Sequence, residues 1–157
     1  MKKEKNIDDR YLIEKITEAI HETTDQQSEL MKHGRAERNF SGYLANSIRD
    51  KIRLKNTKVD APYNRHLGAT KRLNGELIEL DIAIHTRDTD ENNLVAIELE
   101  TINSPARDDV WKVEGLTKVL DGYQYQLGLF LVVGIKNNAG KVLAIEWYKN
   151  GRQIQAP

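Results

Sequence analysis

The feature that most constrains the fold is a nearly continuous apolar segment, QLGLFLVV, at residues 126–133. Strands that are buried on both faces have this composition, because both sides of their sheet are covered by other elements. The segment therefore predicts a central strand, and it requires a sheet with helices on both faces.

The residues before this segment predict its neighbours. Residues 94–100, LVAIELE, alternate between the two faces of a strand. Ser104 and Pro105 then have the preferences of a helix cap and a first helical residue, and Gly122 suits a helix end. A strand, a helix and a second strand in this order pair in parallel through a right-handed crossover.

Earlier segments predict antiparallel strands. Residues 59–63 alternate, and Pro62 limits this strand to an edge or to a short length. The pair Asn74-Gly75 is a two-residue hairpin signal. The strand after it is expected to run to about Arg87, with Leu80, Ile82 and Ile84 on one face and Asp81, Ala83 and His85 on the other. We expect His85 to be an exposed strand histidine; the alternative is that it lines a cleft beside Asp81.

Two amphipathic helices precede the strands. Asp8 caps the first, which runs to about Glu22. The second is expected from Thr24 or Asp25 to about Leu54, or from nearer Gly34. A last strand covers residues 142–148, and the tail after it is expected to fray.

Together these elements predict an α/β fold, more closely an α+β mixed sheet, in a single domain over residues 1–157. We expect an N-terminal helical extension at 1–24 and a core at about 25–149. The absence of cysteine excludes disulfides and thiolate metal sites. Without an apolar run of membrane length or a signal-peptide core, we expect no membrane and a cytoplasmic location.

The formal net charge of zero hides an asymmetry. Residues 32–72 contain eleven Lys or Arg against three acidic residues, and residues 76–109 contain ten acidic residues against two basic ones. A basic half attracts a phosphate backbone and an acidic half holds cations, which suits a phosphodiester-cutting site. Two solvated faces would give the same pattern.

Carboxylates gather on one face of the predicted hairpin. Asp81 lies on its first strand, and Glu98 and Glu100 share a face of its second strand. Packed carboxylates repel one another unless protons or a cation offset their charge, and Mg²⁺ prefers oxygen ligands. Glu37 lies on or next to the buried stripe of the second helix. It is either a carboxylate that reaches the sheet or a boundary residue paired with a neighbouring arginine.

Two basic segments are candidates for contact with phosphates. One is a glycine-containing loop with Arg65, His66, Lys71 and Arg72, which either touches nucleic acid or only extends a hairpin. The other is the end of the second helix, where the cations bind phosphate or are simply solvated: Arg49, Lys51, Arg53, Lys55 and Lys58.

Residues 29–133 resemble the PD-(D/E)XK nuclease superfamily, which includes restriction enzymes and repair nucleases. The resemblance rests on the α-β-β-β-α-β order, on Asp81, on IELE, and on the segment SPARDDVWK that follows. It implies a restriction-endonuclease-like core. Asp81 matches the aspartate of the motif, Glu98 its second acidic residue, and Glu37 the glutamate often found on the first core helix.

Two residues depart from the family pattern. Leu80 stands where the motif has proline, a position that is often replaced. Glu100 stands where the motif has lysine, as it does in some active restriction enzymes of the superfamily. This change removes a cation and adds an anion, so it should increase the dependence on metal. Lys112 on the following helix is a candidate for the missing charge, or it pairs with Asp108 or Asp109.

The resemblance implies a Mg²⁺-dependent deoxyribonuclease, with Mn²⁺ as a substitute and DNA as the partner. Asp81, Glu98 and the carbonyl of Leu99 would hold one ion, and Glu37 and Glu100 would add to that site or hold a second ion. Glu100 would be the general base. Lys112 or the cations of the 65–72 loop would stabilise the charge of the transition state.

The alternative is a catalytically inactive nuclease-fold module that binds or regulates together with a partner protein. A third class, the same fold acting on RNA or another phosphate ester, also stays open. A homodimer would suit double-strand cutting, although no segment requires one.

Overall fold

The computed structural model describes residues 7–34, 37–62, 65–66, 69–70, 72–73, 76–77, 80–86, 92–102, 110–118 and 123–156. Four α-helices lie within these residues: α1 (Asp9–Gln26), α2 (Ser28–Met31), α3 (Glu37–Lys51) and α4 (Val110–Thr117). The strands are β1 (Lys58–Asp60), β2 (Arg65–His66), β3 (Ala69–Thr70), β4 (Arg72–Leu73), β5 (Glu76–Leu77), β6 (Ile82–His85), β7 (Val95–Ile102), β8 (Leu127–Gly134), β9 (Val142–Lys149) and β10 (Arg152–Ile154).

Six of the described strands form one mixed sheet, in the order β1-β6-β7-β8-β9-β10. Strand β8 pairs in parallel with β7, and the other neighbours are antiparallel. Every residue of β8 is buried, as its apolar sequence predicts. The mixed sheet and the parallel β7–β8 pair are therefore confirmed, and β1 lies at an edge as Pro62 predicts.

Helices cover both faces of this sheet. Residues of α1 and α3, such as Ile16, Phe40 and Leu44, pack with Ile97 and Leu129 in the larger core cluster. On the opposite face, residues of α4 pack with the side chains that alternate with these: Val113 with Phe130, and Leu116 with Ala96. The layers follow from the two-residue period of a strand.

The helix boundaries differ from the prediction in one place. Asp8 caps α1 as expected, and its carboxylate accepts the N–H of Arg10 at 2.9 Å. For the second helix, the start at Thr24 or Asp25 is wrong and the start nearer Gly34 is confirmed, because the chain forms the short α2 and then α3 (Glu37–Lys51). Gly34 has φ of 82°, a left-handed conformation that glycine adopts without steric cost, and this residue separates the two helices.

The hairpin region and the C-terminal tail also differ from the prediction. Strands β4 and β5 pair across Asn74-Gly75 as expected, and among the described residues they form a two-stranded sheet of their own. The tail is ordered, because β10 pairs with β9. The predicted start of the fourth helix at Ser104-Pro105 and its end at Gly122 lie outside the described residues. In the described part of the chain, no helix is long and apolar enough to cross a membrane.

Candidate active site

Asp81 lies at a bend immediately before β6. Its Oδ2 accepts the backbone N–H of Leu99 on β7 at 2.8 Å. The antiparallel register of β6 and β7 pairs Ile82 with Ile97. The preceding residue, Asp81, therefore lies beside Glu98, the residue that follows Ile97. The aspartate and the glutamate predicted to form the site therefore come from neighbouring positions of two paired strands.

The bend at Asp81 changes which side chains face each layer. Leu80 packs in the same cluster as Ala83 and Ala96, on the α4 face, whereas Ile82 packs against the other face. The predicted grouping of Leu80 with Ile82 is thus wrong. The cause is local: the strict alternation of a strand holds only while the strand is continuous.

The main chain of Leu99 adds a second oxygen near Asp81. In a strand, the N–H and the C=O of one residue point toward the same neighbouring strand. Because the N–H of Leu99 donates to Asp81, the carbonyl of Leu99 opens toward the side of β7 that Asp81 occupies.

Glu98 is 2% exposed and lies on the α4 side of β7. The Nζ of Lys112, on α4, lies 3.8 Å from its Oε2. A buried carboxylate is costly without a compensating charge, and Lys112 supplies one. Of the partners considered for Lys112, Asp108 and Asp109 lie outside the described residues.

A pocket of about 350 Å³ opens beside Asp81 on the α3 side of the sheet. It is lined by Asp81, by Ala61 and Pro62 after β1, and by α3 residues Glu37, Arg38, Ser41 and Gly42. Glu37 also accepts a long hydrogen bond, 3.5 Å, from the hydroxyl of Thr101 on β7. The hydroxyl of Ser41 is buried and has no hydrogen-bond partner among the described residues.

The predicted gathering of these carboxylates on one face of the sheet is therefore wrong, and the site residues form two adjoining groups. Glu37 and Asp81 border the pocket beside α3, and Glu98 and Lys112 meet on the α4 side. Glu100 is half-buried two residues beyond Glu98 on β7. Within the described residues, no three His, Asp or Glu side chains are grouped so that they could hold a metal ion.

An oxygen set that includes the main chain is still available for Mg²⁺. This ion is commonly bound through one or two carboxylates while it keeps several waters. The carboxylates of Asp81 and Glu98 and the carbonyl of Leu99 have this donor chemistry. Asp81 is the member that also borders the pocket from which water or substrate would enter.

The basic loop predicted to touch nucleic acid is described only in part. The backbones of Arg65 and His66 belong to β2, and that of Arg72 belongs to β4. Their side chains and all of Lys71 lie outside the described residues, so their role stays a prediction.

His85 is placed differently from the expectation of an exposed strand histidine. It is 1% exposed, and its Nε2 lies 2.8 Å from Oδ2 of Asp60 on β1. The expectation is wrong because β1 covers β6 and supplies a polar partner across the pair. An aspartate on the neighbouring predicted strand was the available signal.

Comparisons with protein-family models, curated proteins and solved structures find nothing that matches this chain. The geometry of Asp81, Glu98, Leu99 and Lys112 therefore carries the functional assignment.

Proposed function

We propose that this chain is a metal-dependent phosphodiester hydrolase, a deoxyribonuclease of the PD-(D/E)XK type on a restriction-endonuclease-like core. The observation that carries the proposal is the position of Asp81. Its carboxylate is fixed on Leu99, beside Glu98, at the mouth of a pocket between a helix and the sheet edge.

Asp81, Glu98 and the carbonyl of Leu99 would hold Mg²⁺, with Mn²⁺ as a substitute. A bound divalent ion lowers the pKa of its water and offsets charge on a phosphoryl oxygen. The hydrogen bond from the N–H of Leu99 orients the Asp81 carboxylate, so that one oxygen is fixed before any ligand arrives. Fixed groups of this kind cost little reorganisation during the reaction.

The remaining side chains have separate roles in the proposal. Lys112 supplies the positive charge that the family motif places at position 100, and it acts from the α4 side through its contact with Glu98. Glu100 is the general base toward the attacking water. Arg38 and the Ser41 hydroxyl line the pocket with donors suited to a phosphate oxygen. Glu37, on the same helix, also lines this pocket.

The test uses isosteric variants, Asp81→Asn and Glu98→Gln. The asparagine keeps a hydrogen-bond acceptor for Leu99 but loses the charge. We expect cleavage of plasmid and single-stranded DNA with Mg²⁺ or Mn²⁺ to fall by roughly 100-fold or more, the scale at which fixed charges contribute to catalysis. Asp25→Asn and Glu14→Gln, two exposed residues of α1, are matched controls that should cleave at the original rate. Equal cleavage by site and control variants would contradict the assignment.

The second candidate is a catalytically inactive nuclease-fold module that acts with a partner protein. The 3.8 Å contact between Lys112 and Glu98 favours it, because a lysine then offsets the charge that a metal would otherwise offset. Calorimetric titration with Mn²⁺ separates the two candidates. The hydrolase binds the ion with an affinity that drops in Asp81→Asn, whereas the module shows no heat of binding that depends on Asp81.

A further inference from the structure

A second concave surface lies at the other end of α3, and we call it the basic cleft. It has a volume of about 550 Å³ and is formed by the end of α3, the start of β1 and the residues between them. Four cations line it, Arg49, Arg53, Lys55 and Lys58, and of the described lining residues only Asp60 carries a carboxylate. Asp60 is itself engaged by His85 at 2.8 Å, so the cleft is strongly positive.

Three of these cations have no acidic partner. Arg53, Lys55 and Lys58 are exposed, and among the described residues none of them forms an ion pair with a carboxylate. Lys51, in the last turn of α3, differs from these three cations because it has an acidic partner. Its Nζ lies 2.6 Å from Oε2 of Glu22, and that hydrogen bond lowers the pKa of the Glu22 carboxyl. The basic cleft thus contains three exposed cations that form no ion pair within the described part of the chain.

The helix dipole does not account for these cations. A cation near a helix C-terminus is stabilised by the dipole, but the effect falls off within the last turn. Arg49 and Lys51 are in the last turn of α3, whereas Arg53, Lys55 and Lys58 follow it.

Arg49 holds the frame of the cleft in place. Its Nε donates to the carbonyl of Val59 on β1 at 3.0 Å, and its Nη1 donates to Oδ1 of Asn46 at 2.6 Å. The bond to Val59 ties the end of α3 to the edge strand, and the bond to Asn46 holds the guanidinium against its own helix. The Arg49 side of the cleft is therefore preorganised, whereas the other three cations are exposed to water.

The basic cleft and the pocket beside Asp81 follow one another along β1 and α3. Val59 and Asp60 line the cleft, and the next two residues, Ala61 and Pro62, line the pocket. On α3, Gly42 lines the pocket and Arg49 lines the cleft; seven residues are two helical turns, so both lie on one side of the helix. That separation is about 10 Å of helix, or roughly three nucleotides at 3.4 Å each.

We infer that the basic cleft binds the sugar-phosphate backbone of a nucleic-acid strand and leads it to the pocket beside Asp81. Exposed lysines and arginines bind phosphates without reading sequence, and they set the position of the strand. The inference that the strand is led to the pocket rests on the proposed function, whereas the inference that the cleft binds the strand does not. This surface is distinct from the 65–72 loop that the sequence singles out.

The experiment measures binding of a labelled 20-base-pair DNA duplex and of a 20-nucleotide single strand by fluorescence anisotropy in EDTA, where cleavage cannot occur. The variant is the triple change Arg53→Gln, Lys55→Gln, Lys58→Gln. The matched control is Lys118→Gln, Lys141→Gln, Arg152→Gln, which removes the same three charges from exposed residues elsewhere on the surface.

We expect the cleft variant to bind duplex roughly 10-fold or more weakly than the original chain. The slope of log affinity against log salt should become shallower by about 2–3, close to one unit for each lost phosphate contact. The control triple should stay within about twofold of the original affinity. Loss of affinity by both triples to the same extent would overturn the inference, because net charge alone would then explain it. So would an original chain that binds neither probe at low salt, or one that binds only an acidic polypeptide.

The two proposals fail separately. Asp81→Asn should bind DNA in EDTA at least as tightly as the original chain does, because the change leaves the cleft intact and removes a negative charge beside the path of the strand. A protein that binds through the cleft but never cleaves would overturn the hydrolase and leave the cleft standing. If the cleft triple variant cleaves and binds DNA as well as the original chain does, the cleft inference is overturned and the hydrolase proposal stands.

Discussion

At the scale of single residues, Asp81 determines the local geometry of the candidate site. Its side chain accepts a main-chain N–H from β7 at the point where regular pairing of β6 stops. Aspartate side chains commonly compete in this way with backbone hydrogen bonds. The residue types of the site could be predicted from the sequence. The bend could not, because an alternation pattern carries no information on where pairing stops.

The contact of Lys112 with Glu98 yields a prediction about stability. Changing Lys112 to Met removes the cation beside a carboxylate that is 3% exposed at its side chain, so we expect unfolding free energy to fall by about 1–3 kcal/mol. Urea denaturation at neutral pH measures this loss. Adding Glu98→Gln should recover much of it, because the buried charge is then gone. A double variant whose loss equals the sum of the two single losses would show that the pair does not interact.

At the scale of elements, strongly apolar segments were predicted well and polar ones poorly. Strand β8 can be predicted from its apolar composition alone. Its parallel pairing with β7 can be predicted from the helical segment that connects the two strands. Strand β10, with the sequence RQI, has no such signal, and it is held by its pairing with β9 and by Ile154, which packs against the larger core. The break before α3 was ambiguous because Gly34 suits both a weak helical turn and a helix end.

Two glycines give opposite predictions for the same substitution. At Gly134, a Cβ would lie 2.2 Å from the carbonyl oxygen of Asn138, so Gly134→Ala should lower unfolding free energy by about 1–3 kcal/mol or more. At Gly42, exposed within α3, a Cβ would meet no described residue within 4 Å, and Gly42→Ala should raise it by about 0.5–1 kcal/mol. Chemical denaturation of the two variants is the measurement, and equal effects would contradict the packing described for Gly134.

At the scale of the whole molecule, the candidate site lies where the two layers meet. The larger core joins α1 and α3 to one face of the sheet, and smaller clusters join α4 to the other. Asp81 borders the first layer and Glu98 the second. A ligand that contacts both residues would therefore connect the layers and stabilise the folded state as a unit.

This arrangement predicts a metal effect on thermal stability. A ligand at 100 times its Kd that binds only the folded state adds about 2.7 kcal/mol, which for a chain of this size raises Tm by roughly 5–10 °C. We expect saturating Mn²⁺ to raise the Tm of the original chain, measured by differential scanning calorimetry, and to leave Asp81→Asn nearly unchanged. Asp25→Asn is the control that should respond like the original chain. An equal rise in Asp81→Asn would place the ion elsewhere.

The two outermost strands, β1 and β10, have a consequence for how the molecule behaves at high concentration. Each is only three residues long, each carries charged side chains, and Pro62 follows β1 closely. Long, flat, uncharged edge strands act as templates on which strands of other molecules add, and aggregates then grow. Strands β1 and β10 are instead short and charged. We therefore expect any self-association of this chain to use side-chain surfaces and not to extend its sheet from one copy to the next.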